Sequence, residues 1–183
     1  MDKAIKIRTC NEEDLKATSN VSSALLNWLK ENGKADYFGG VDEDELRQAM
    51  GFPSTVLLAV DEKDEILGFL LLQVPSEQEQ LDYQNTFNAP LLKGKHVALI
   101  LNGYGVKPEF QHNGIAKKML EAARDYVIEN GYYVLIGTVH PKNSASKRSM
   151  QHISRNYRES KKYVHKTKDG RKLSRVKFYF ELL

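Results

Sequence analysis

The stretch from Val106 to Ala116 constrains the fold of this 183-residue chain more than any other. An apolar run that is typical of a β-strand precedes it, and the amphipathic pattern of a helix begins at Ile115. Between them lies a short polar turn that contains Gly114. A strand, a tight turn and a helix start direct several backbone N–H groups to one point, at the positive end of the helix dipole. We therefore predict a phosphate-binding turn here.

Two common phosphate-binding motifs do not fit this turn. The sequence contains no Gly-x-x-x-x-Gly-Lys-Ser/Thr string, which excludes a P-loop. A dinucleotide fingerprint would take its first two glycines from Gly103 and Gly105, but Pro108 occupies the position of the third. Neither nucleotide-binding class therefore accounts for the turn.

The pattern that remains is Gln111-x-x-Gly114-x-Ala116. It resembles the acyl-CoA pyrophosphate loop of the GNAT (GCN5-related N-acetyltransferase) family, whose pattern is Gln/Arg-x-x-Gly-x-Gly/Ala. The order of predicted elements, β-α-α-β-β-β-α-β-α-β-β, is similar to that fold from end to end. The resemblance implies a single N-acetyltransferase domain over residues 1–183, of the α/β (α+β) class. We expect a mixed, mostly antiparallel seven-stranded sheet, flanked by helices and splayed between its fourth and fifth strands.

Hydrophobic periodicity and turn residues predict the elements of this sheet. Strands are predicted over 4–8, 55–60, 66–74, 96–106, 132–139, 161–165 and 173–181. Helices are predicted over 11–33, 42–50, 115–130 and 143–155. The connection over 75–94 is unusually long for a compact domain, which indicates a functional cover. Gly103 and Gly105 inside a strand indicate a bulge or the close approach of a ligand.

The resemblance implies direct transfer of an acetyl group from acetyl-CoA to an amine, without a metal. It assigns the pyrophosphate to backbone N–H groups of the turn, and the pantetheine amides to the backbone of the preceding strand. Asn143 matches an asparagine that the family often places opposite the cofactor arm, although helix capping explains it equally well. The cofactor-binding residues are then Gly105, Val106, Lys107, Gln111, His112, Asn113, Gly114, Ile115, Ala116, Lys117, Asn143 and Ser146.

The chain departs from the family at the groups that transfer protons. Many members place a Glu on the strand before the loop, and residues 97–106 contain none. Many also carry a Tyr seven residues after the helix asparagine, where this chain has Met150. The catalytic candidates are therefore Tyr104, His140 and His96. Alternative bases are His112, Glu77, Glu79 and a bound water.

The net charge of +3 conceals a division along the chain. Residues 1–95 contain 10 basic and 17 acidic residues, whereas residues 96–183 contain 17 basic and 7 acidic residues. The basic half includes the predicted phosphate-binding turn, so we expect the acidic half to face a cationic acceptor, unless surface charges are divided by chance. Asp36, Tyr37 and Phe38 are the predicted acceptor-binding residues.

Composition also bears on location and partners. The single Cys10 excludes an internal disulfide, and no apolar run approaches the ~20 residues that span a bilayer. We expect a cytoplasmic protein without a membrane partner, with a homodimer formed through the C-terminal strand as one possibility. We do not expect nucleic-acid binding, although the basic hairpin over 161–177 leaves a ribosome-associated or nucleic-acid module open. The unmatched proton-transfer groups leave a CoA-binding regulatory domain open.

Overall fold

A computed structural model describes residues 4–89, 98–167 and 169–182. These residues form eight strands and five α-helices. The strands are β1 Lys6–Thr9, β2 Thr55–Val60, β3 Ile66–Gln73, β4 Leu99–Val106, β5 Val134–Val139, β6 Tyr157–Glu159, β7 Tyr163–Lys166 and β8 Lys172–Glu181. The helices are α1 Leu15–Glu31, α2 Glu43–Gln48, α3 Glu77–Phe87, α4 Ile115–Glu129 and α5 Ser144–Met150.

The strands form one mixed sheet in the order β1-β2-β3-β4-β5-β8-β6, and β7 also pairs with β8. β4 and β5 run parallel, and the other described pairs are antiparallel. The predicted fold class is therefore confirmed. The sheet has eight strands rather than seven, because the polar segment Tyr157–Glu159 pairs with β8. Three polar residues carry too little alternation to be recognised as a strand in the sequence.

Strand β8 lies inside the sheet rather than at its edge. It pairs with β5 on one side and with β6 on the other, and its first residues pair with β7. The C-terminal strand is thus already paired within its own chain. This leaves little of β8 for strand pairing between subunits, and a homodimer stays a prediction.

The sheet opens between β4 and β5, as the resemblance implies. Their pairing joins only Leu99–Leu101 to Leu135–Gly137. Beyond these residues β4 continues along β3, and β5 continues along β8. A bulge marks the point of separation, because Leu101 and Gly103 face adjacent residues of β3 and Asn102 is the extra residue between them.

Helices cover both faces of the sheet because alternate strand residues point in opposite directions. In β2, Leu57 and Ala59 belong to the core that α4 covers. Val56 and Leu58 belong to a second core, on the other face, beneath α1 and α2. Helix α5 adds Met150 to the first core and ends there, before the predicted end near residue 155, because the following residues form tight turns.

Residues 77–87, which we predicted to lie in a long polar connection, form helix α3. Its start is a capping box, in which Glu79 N donates to Ser76 Oγ and Ser76 N donates to the Glu79 carboxylate. Tyr83 and Phe87 are its buried side chains, and they pack on a third core that contains Ile136. Three apolar residues in eleven, Leu81, Tyr83 and Phe87, gave too weak a periodicity, whereas the capping box was a readable signal.

Gly68 is required where β3 meets β4. A Cβ atom added to Gly68 would lie 2.8 Å from the backbone oxygen of Gly105 and 3.2 Å from Met119 Cε. We predict that Gly68→Ala lowers the free energy of unfolding by about 1–3 kcal/mol, since the strand pair has to shift. Gly103→Ala is the matched control, because its Cβ would meet Val41 at 3.5 Å, an ordinary contact. Urea denaturation measures both, and equal losses would contradict this account.

Candidate active site

The turn between β4 and α4 is held in shape by its own side chains. The backbone enters the left-handed region at His112 and at Gly114, with φ of 65° and 74°. The Asn113 amide donates to the carbonyls of Phe110 and Gln111, both at 3.2 Å. These contacts fix the two reversals that bring the chain from the strand into the helix.

The end of this turn and the start of α4 present backbone N–H groups without a protein acceptor among the described residues. In the described part of the chain, none of those from His112 to Lys117 donates to an oxygen, and Lys118 N makes the first helical bond, to Gly114 O. A Cβ atom added to Gly114 would meet no atom within 4 Å, so open space lies before the turn. Unpaired N–H groups at a helix N-terminus, facing open space, suit the diphosphate of a coenzyme.

The edge of β4 beyond the bulge also presents unpaired backbone groups. Lys107 N donates to Leu67 O, on the β3 side. Because neighbouring residues of a strand direct their N–H groups to opposite sides, those of Tyr104 and Val106 face the gap. The Gln111 side chain donates to Val106 O at 3.3 Å and braces this edge against the turn.

Turn and gap belong to one cleft of about 1330 Å³. Most of the predicted cofactor-binding residues line it, as does Tyr104. These are Gly105, Val106, Gln111, His112, Gly114, Ile115, Ala116, Lys117, Asn143 and Ser146. Lys107 and Asn113 do not line it. Lys107 N and O both bond within the protein, and Asn113 instead holds the turn.

Two hydroxyl groups meet across the gap. The Tyr104 phenol on β4 and the Ser146 hydroxyl on α5 share a hydrogen bond. Asn143 caps α5, because its side-chain oxygen accepts from Ser146 N at 3.1 Å. Burial raises the pKa of Tyr104 to about 12, although the bond to Ser146 opposes that shift. The phenol therefore keeps its proton near neutral pH and acts there as a donor.

The structure places His140 in a different environment. Its side chain is buried, at 5% exposure, and stacks on Tyr37 with ring centroids 4.5 Å apart. Lys142 N donates to Nδ1, so Nε2 carries the proton and donates to the Asp36 carboxylate at 2.9 Å. His140 and Asp36 line a second cavity, of about 270 Å³, and not the cleft. Both ring nitrogens are thus engaged, Nδ1 within the loop that follows β5 and Nε2 with the loop before α2.

Only some of the other predicted acceptor-binding and base residues line the cleft. Tyr37 and Phe38 line the cleft, as do Glu79 and His112. Glu77 does not line it, and His96 lies outside the described residues.

Beyond the gap, the cleft is lined by the loop that leads to α2, by helix α3 and by the β7–β8 hairpin. The start of α2 and helix α3 contribute the carboxylates of Asp42, Glu45, Glu79 and Asp82. The hairpin contributes the charged side chains of Lys166, Asp169, Arg171, Arg175 and Lys177.

The sequence did not indicate that the β7–β8 hairpin forms part of the cleft wall. The signal was present in β8, where Arg175 and Lys177 alternate with Val176 and Phe178 just before an apolar run. Both cations are buried, each at 7% exposure. Cations at buried strand positions indicate a polar site rather than a solvated ribbon.

The described ranges contain neither a metal-binding cluster nor a helix that could cross a membrane. No group of three or more His, Cys, Asp or Glu side chains there is placed to bind a metal ion. None of the described helices is both long enough and apolar enough to cross a bilayer.

The sequence model of the acetyltransferase (GNAT) family matches residues 22–152. This match includes β4, the turn, α4 and α5. The chain belongs to the GNAT acetyltransferase family. The family uses acetyl-CoA, which agrees with the unpaired N–H groups at the start of α4 and with the gap beside β4. The resemblance inferred from the turn is therefore confirmed.

Solved structures agree with this GNAT fold. The ribosomal-protein-S18-alanine N-acetyltransferase from Escherichia coli is 16% identical, with a TM-score of 0.68 over 98% of this chain and 94% of that one. yncA from Salmonella typhimurium, solved with acetyl-CoA, is 21% identical, with a TM-score of 0.64 over 98% and 95%. An N-acetyltransferase from Staphylococcus aureus Mu50 is 16% identical, with a TM-score of 0.66 over 98% and 99%. A comparison with curated protein sequences found no match.

We predict that His140 stabilises this acetyltransferase in its neutral form. Burial lowers the pKa of His140 below its ordinary value of 6.5. The unfolded chain then binds a proton that the folded chain does not, so stability is lost as the pH falls below about 6.5. Between pH 7.5 and 5.5, the free energy of unfolding of the wild type should fall by up to about 1.4 kcal/mol more than that of His140→Gln. Identical pH dependence in the two proteins, measured by urea denaturation, would refute this role.

Proposed function

We propose that this chain transfers the acetyl group of acetyl-CoA to a primary amine of a small molecule or a protein. The observation that carries the proposal is the row of unpaired backbone N–H groups from His112 to Lys117, in one cleft with the opened edge of β4. A single extended molecule with a diphosphate at one end and a thioester at the other spans these two features.

The cofactor contacts follow from the direction of each backbone group. The N–H groups of residues 112–117 bind the diphosphate, and the side chain of Lys117 adds a positive charge. Val106 N–H binds an amide of the pantetheine arm, as an added strand would. Tyr104 N–H polarises the thioester carbonyl. We leave Lys107 out of this set, because Leu67 and Phe110 already occupy its backbone groups.

The acetyl transfer needs no covalent enzyme intermediate. The amine nitrogen attacks the thioester carbonyl carbon, so that a C–N bond forms and the C–S bond breaks. The proton lost by the amine passes to water, and an acceptor that is partly neutral at the working pH needs no strong base. The Tyr104 phenol, which shares a hydrogen bond with Ser146, donates its proton to the sulfur that leaves and regains one from water.

The cations of the hairpin differ in their surroundings. Arg171 is paired with Asp169, and Lys177 is paired with Asp82. Arg175 is buried in the cleft wall. A surface that binds phosphates needs exposed cations, and Lys161, Lys162, Lys166 and Lys172 are exposed, so the nucleic-acid module considered from the sequence stays an alternative. The cytoplasmic location stays a prediction.

We predict that Gly114→Glu abolishes acetyl-CoA binding. The added side chain enters open space before the turn, and its carboxylate repels the diphosphate. Isothermal titration should show the dissociation constant rising by at least about 100-fold, which corresponds to about 2.8 kcal/mol. Unchanged affinity would overturn the assignment of the turn.

Gly131→Glu is the matched control for that variant. Gly131 has a φ of 79°, also has no atom within 4 Å of an added Cβ, and lies at the other end of α4. It carries the same backbone strain and the same added charge, so its loss of thermal stability should match that of Gly114→Glu. Its affinity for acetyl-CoA should equal that of the wild type.

We predict that Tyr104→Phe lowers kcat by at least about tenfold and leaves the KM for acetyl-CoA nearly unchanged, because only the donor to the leaving sulfur is removed. Thiol release with a panel of amines measures both constants. Tyr126→Phe is the control, since its hydroxyl donates to Pro53 O at 3.1 Å and takes no part in the cleft. Equal effects of the two variants on kcat would exclude a catalytic role for the phenol.

A further inference from the structure

Arg175 is a buried cation in the wall of the cleft. It lies on β8 opposite Tyr163 of β7, and its exposure is 7%. Its Nη1 atom donates to the carbonyl oxygens of Asp36, at 2.6 Å, and Ser174, at 2.8 Å. These two bonds hold one corner of the guanidinium in a fixed position.

The charge of Arg175 is not balanced by the protein. Among the described residues no carboxylate forms an ion pair with it, and the carboxylates of its neighbourhood are bound elsewhere. Asp82 pairs with Lys177 and Asp169 with Arg171, and the Asp36 carboxylate, which attracts Arg175 without forming an ion pair with it, accepts from neutral His140. Burial lowers the pKa of Arg175, which reflects the cost of holding this charge away from water. A buried cation of this kind is stabilised when an anion is supplied from outside.

The remaining nitrogens of Arg175 are open to the cleft. Its Nε and Nη2 atoms donate to no oxygen of the described residues. Every side-chain nitrogen that is fully withdrawn from solvent in the described ranges does have a partner. Nε and Nη2 therefore keep contact with the cleft, and together they present the two parallel N–H groups that match a carboxylate.

We propose that Arg175 binds a carboxylate of the acceptor, so that the acceptor is an amine that carries a carboxylate, such as an amino acid. This inference rests on the acetyl transfer proposed above. It also explains the opposite wall, where Asp82 is paired with Lys177 and Glu79 caps α3. These two carboxylates are occupied, and those of Asp42 and Glu45 accept from each other's backbone N–H, whereas a polyamine without an anionic group would need several free ones.

The test compares amino acids with the corresponding amino-acid amides, which differ only in the negative charge. Thiol release is measured with acetyl-CoA and each compound, for the wild type, Arg175→Met and Arg175→Lys. The wild type should prefer the acid, and Arg175→Met should lower kcat/KM for the acid by at least about 30-fold while changing the amide little. Arg175→Lys should recover part of this loss, since it restores the charge without the paired donors.

Arg171→Met is the matched control. It removes a cation from the same hairpin and the same cleft, but one whose charge Asp169 already balances at 2.8 Å. Its loss of kcat/KM for the acid should be much smaller than that of Arg175→Met. Acetyl-CoA affinity, measured by titration, should be unchanged in both variants, which shows that they are folded and that the effect lies on the acceptor side.

The outcomes separate this inference from the function on which it rests. Turnover of amides and acids at equal rates by the wild type would overturn the carboxylate site and leave the acetyltransferase intact. Absence of acetyl-CoA binding would overturn both. If acetyl-CoA binds but no compound turns over, titration of the same amino acids and amides into the protein with CoA decides. Tighter binding of the acids, lost in Arg175→Met, supports the site, and equal binding refutes it.

Discussion

The separation of two parallel strands is the constraint on which the rest of the structure depends. β4 and β5 pair through three residues each, and then each strand follows its antiparallel neighbour. Antiparallel pairing is slightly more stable per residue than parallel pairing, and the bulge at Asn102 adds local twist. The sheet therefore opens without losing its outer ladders. The opened edge presents backbone donors that only a bound molecule can satisfy, which makes the gap a site for an extended ligand.

The turn before α4 completes this site because it is fixed before any ligand arrives. His112 is a non-glycine residue at positive φ, a conformation that costs roughly 1–3 kcal/mol unless the surroundings stabilise it. The side chains of Asn113 and Gln111 supply that support through bonds to neighbouring carbonyls. The N–H groups thus point to one place without further loss of entropy on binding, which is how preorganisation raises affinity. The edge of β4 and the N-terminus of α4 form one binding site because this turn joins them.

The parts of the site that the sequence predicted are local in the chain. Gln111, Gly114 and the helix that follows are close together in the chain. Their spacing predicted the turn and carried the resemblance to the family. Most strands of the sheet were predicted because they are long and apolar. Helix α3 was missed because only Tyr83 and Phe87 on it are buried, and β6 was missed because three polar residues show no period.

Residues whose roles depend on distant partners were not predictable in this way. His140 has the ordinary chemistry of a base, and only its contact with Asp36, 104 residues away in the chain, shows that both of its nitrogens are engaged. The role of Arg175 depends likewise on a carbonyl that lies 139 residues away. For the same reason, the division of net charge along the chain could not show which side chains are paired. The acidic half of the chain commits carboxylates of the cleft, such as Glu79 and Asp82, to a helix cap and an ion pair. The charge available to an acceptor therefore depends on which side chains of the cleft wall are left without an ion pair, and Arg175 is one of them among the described residues.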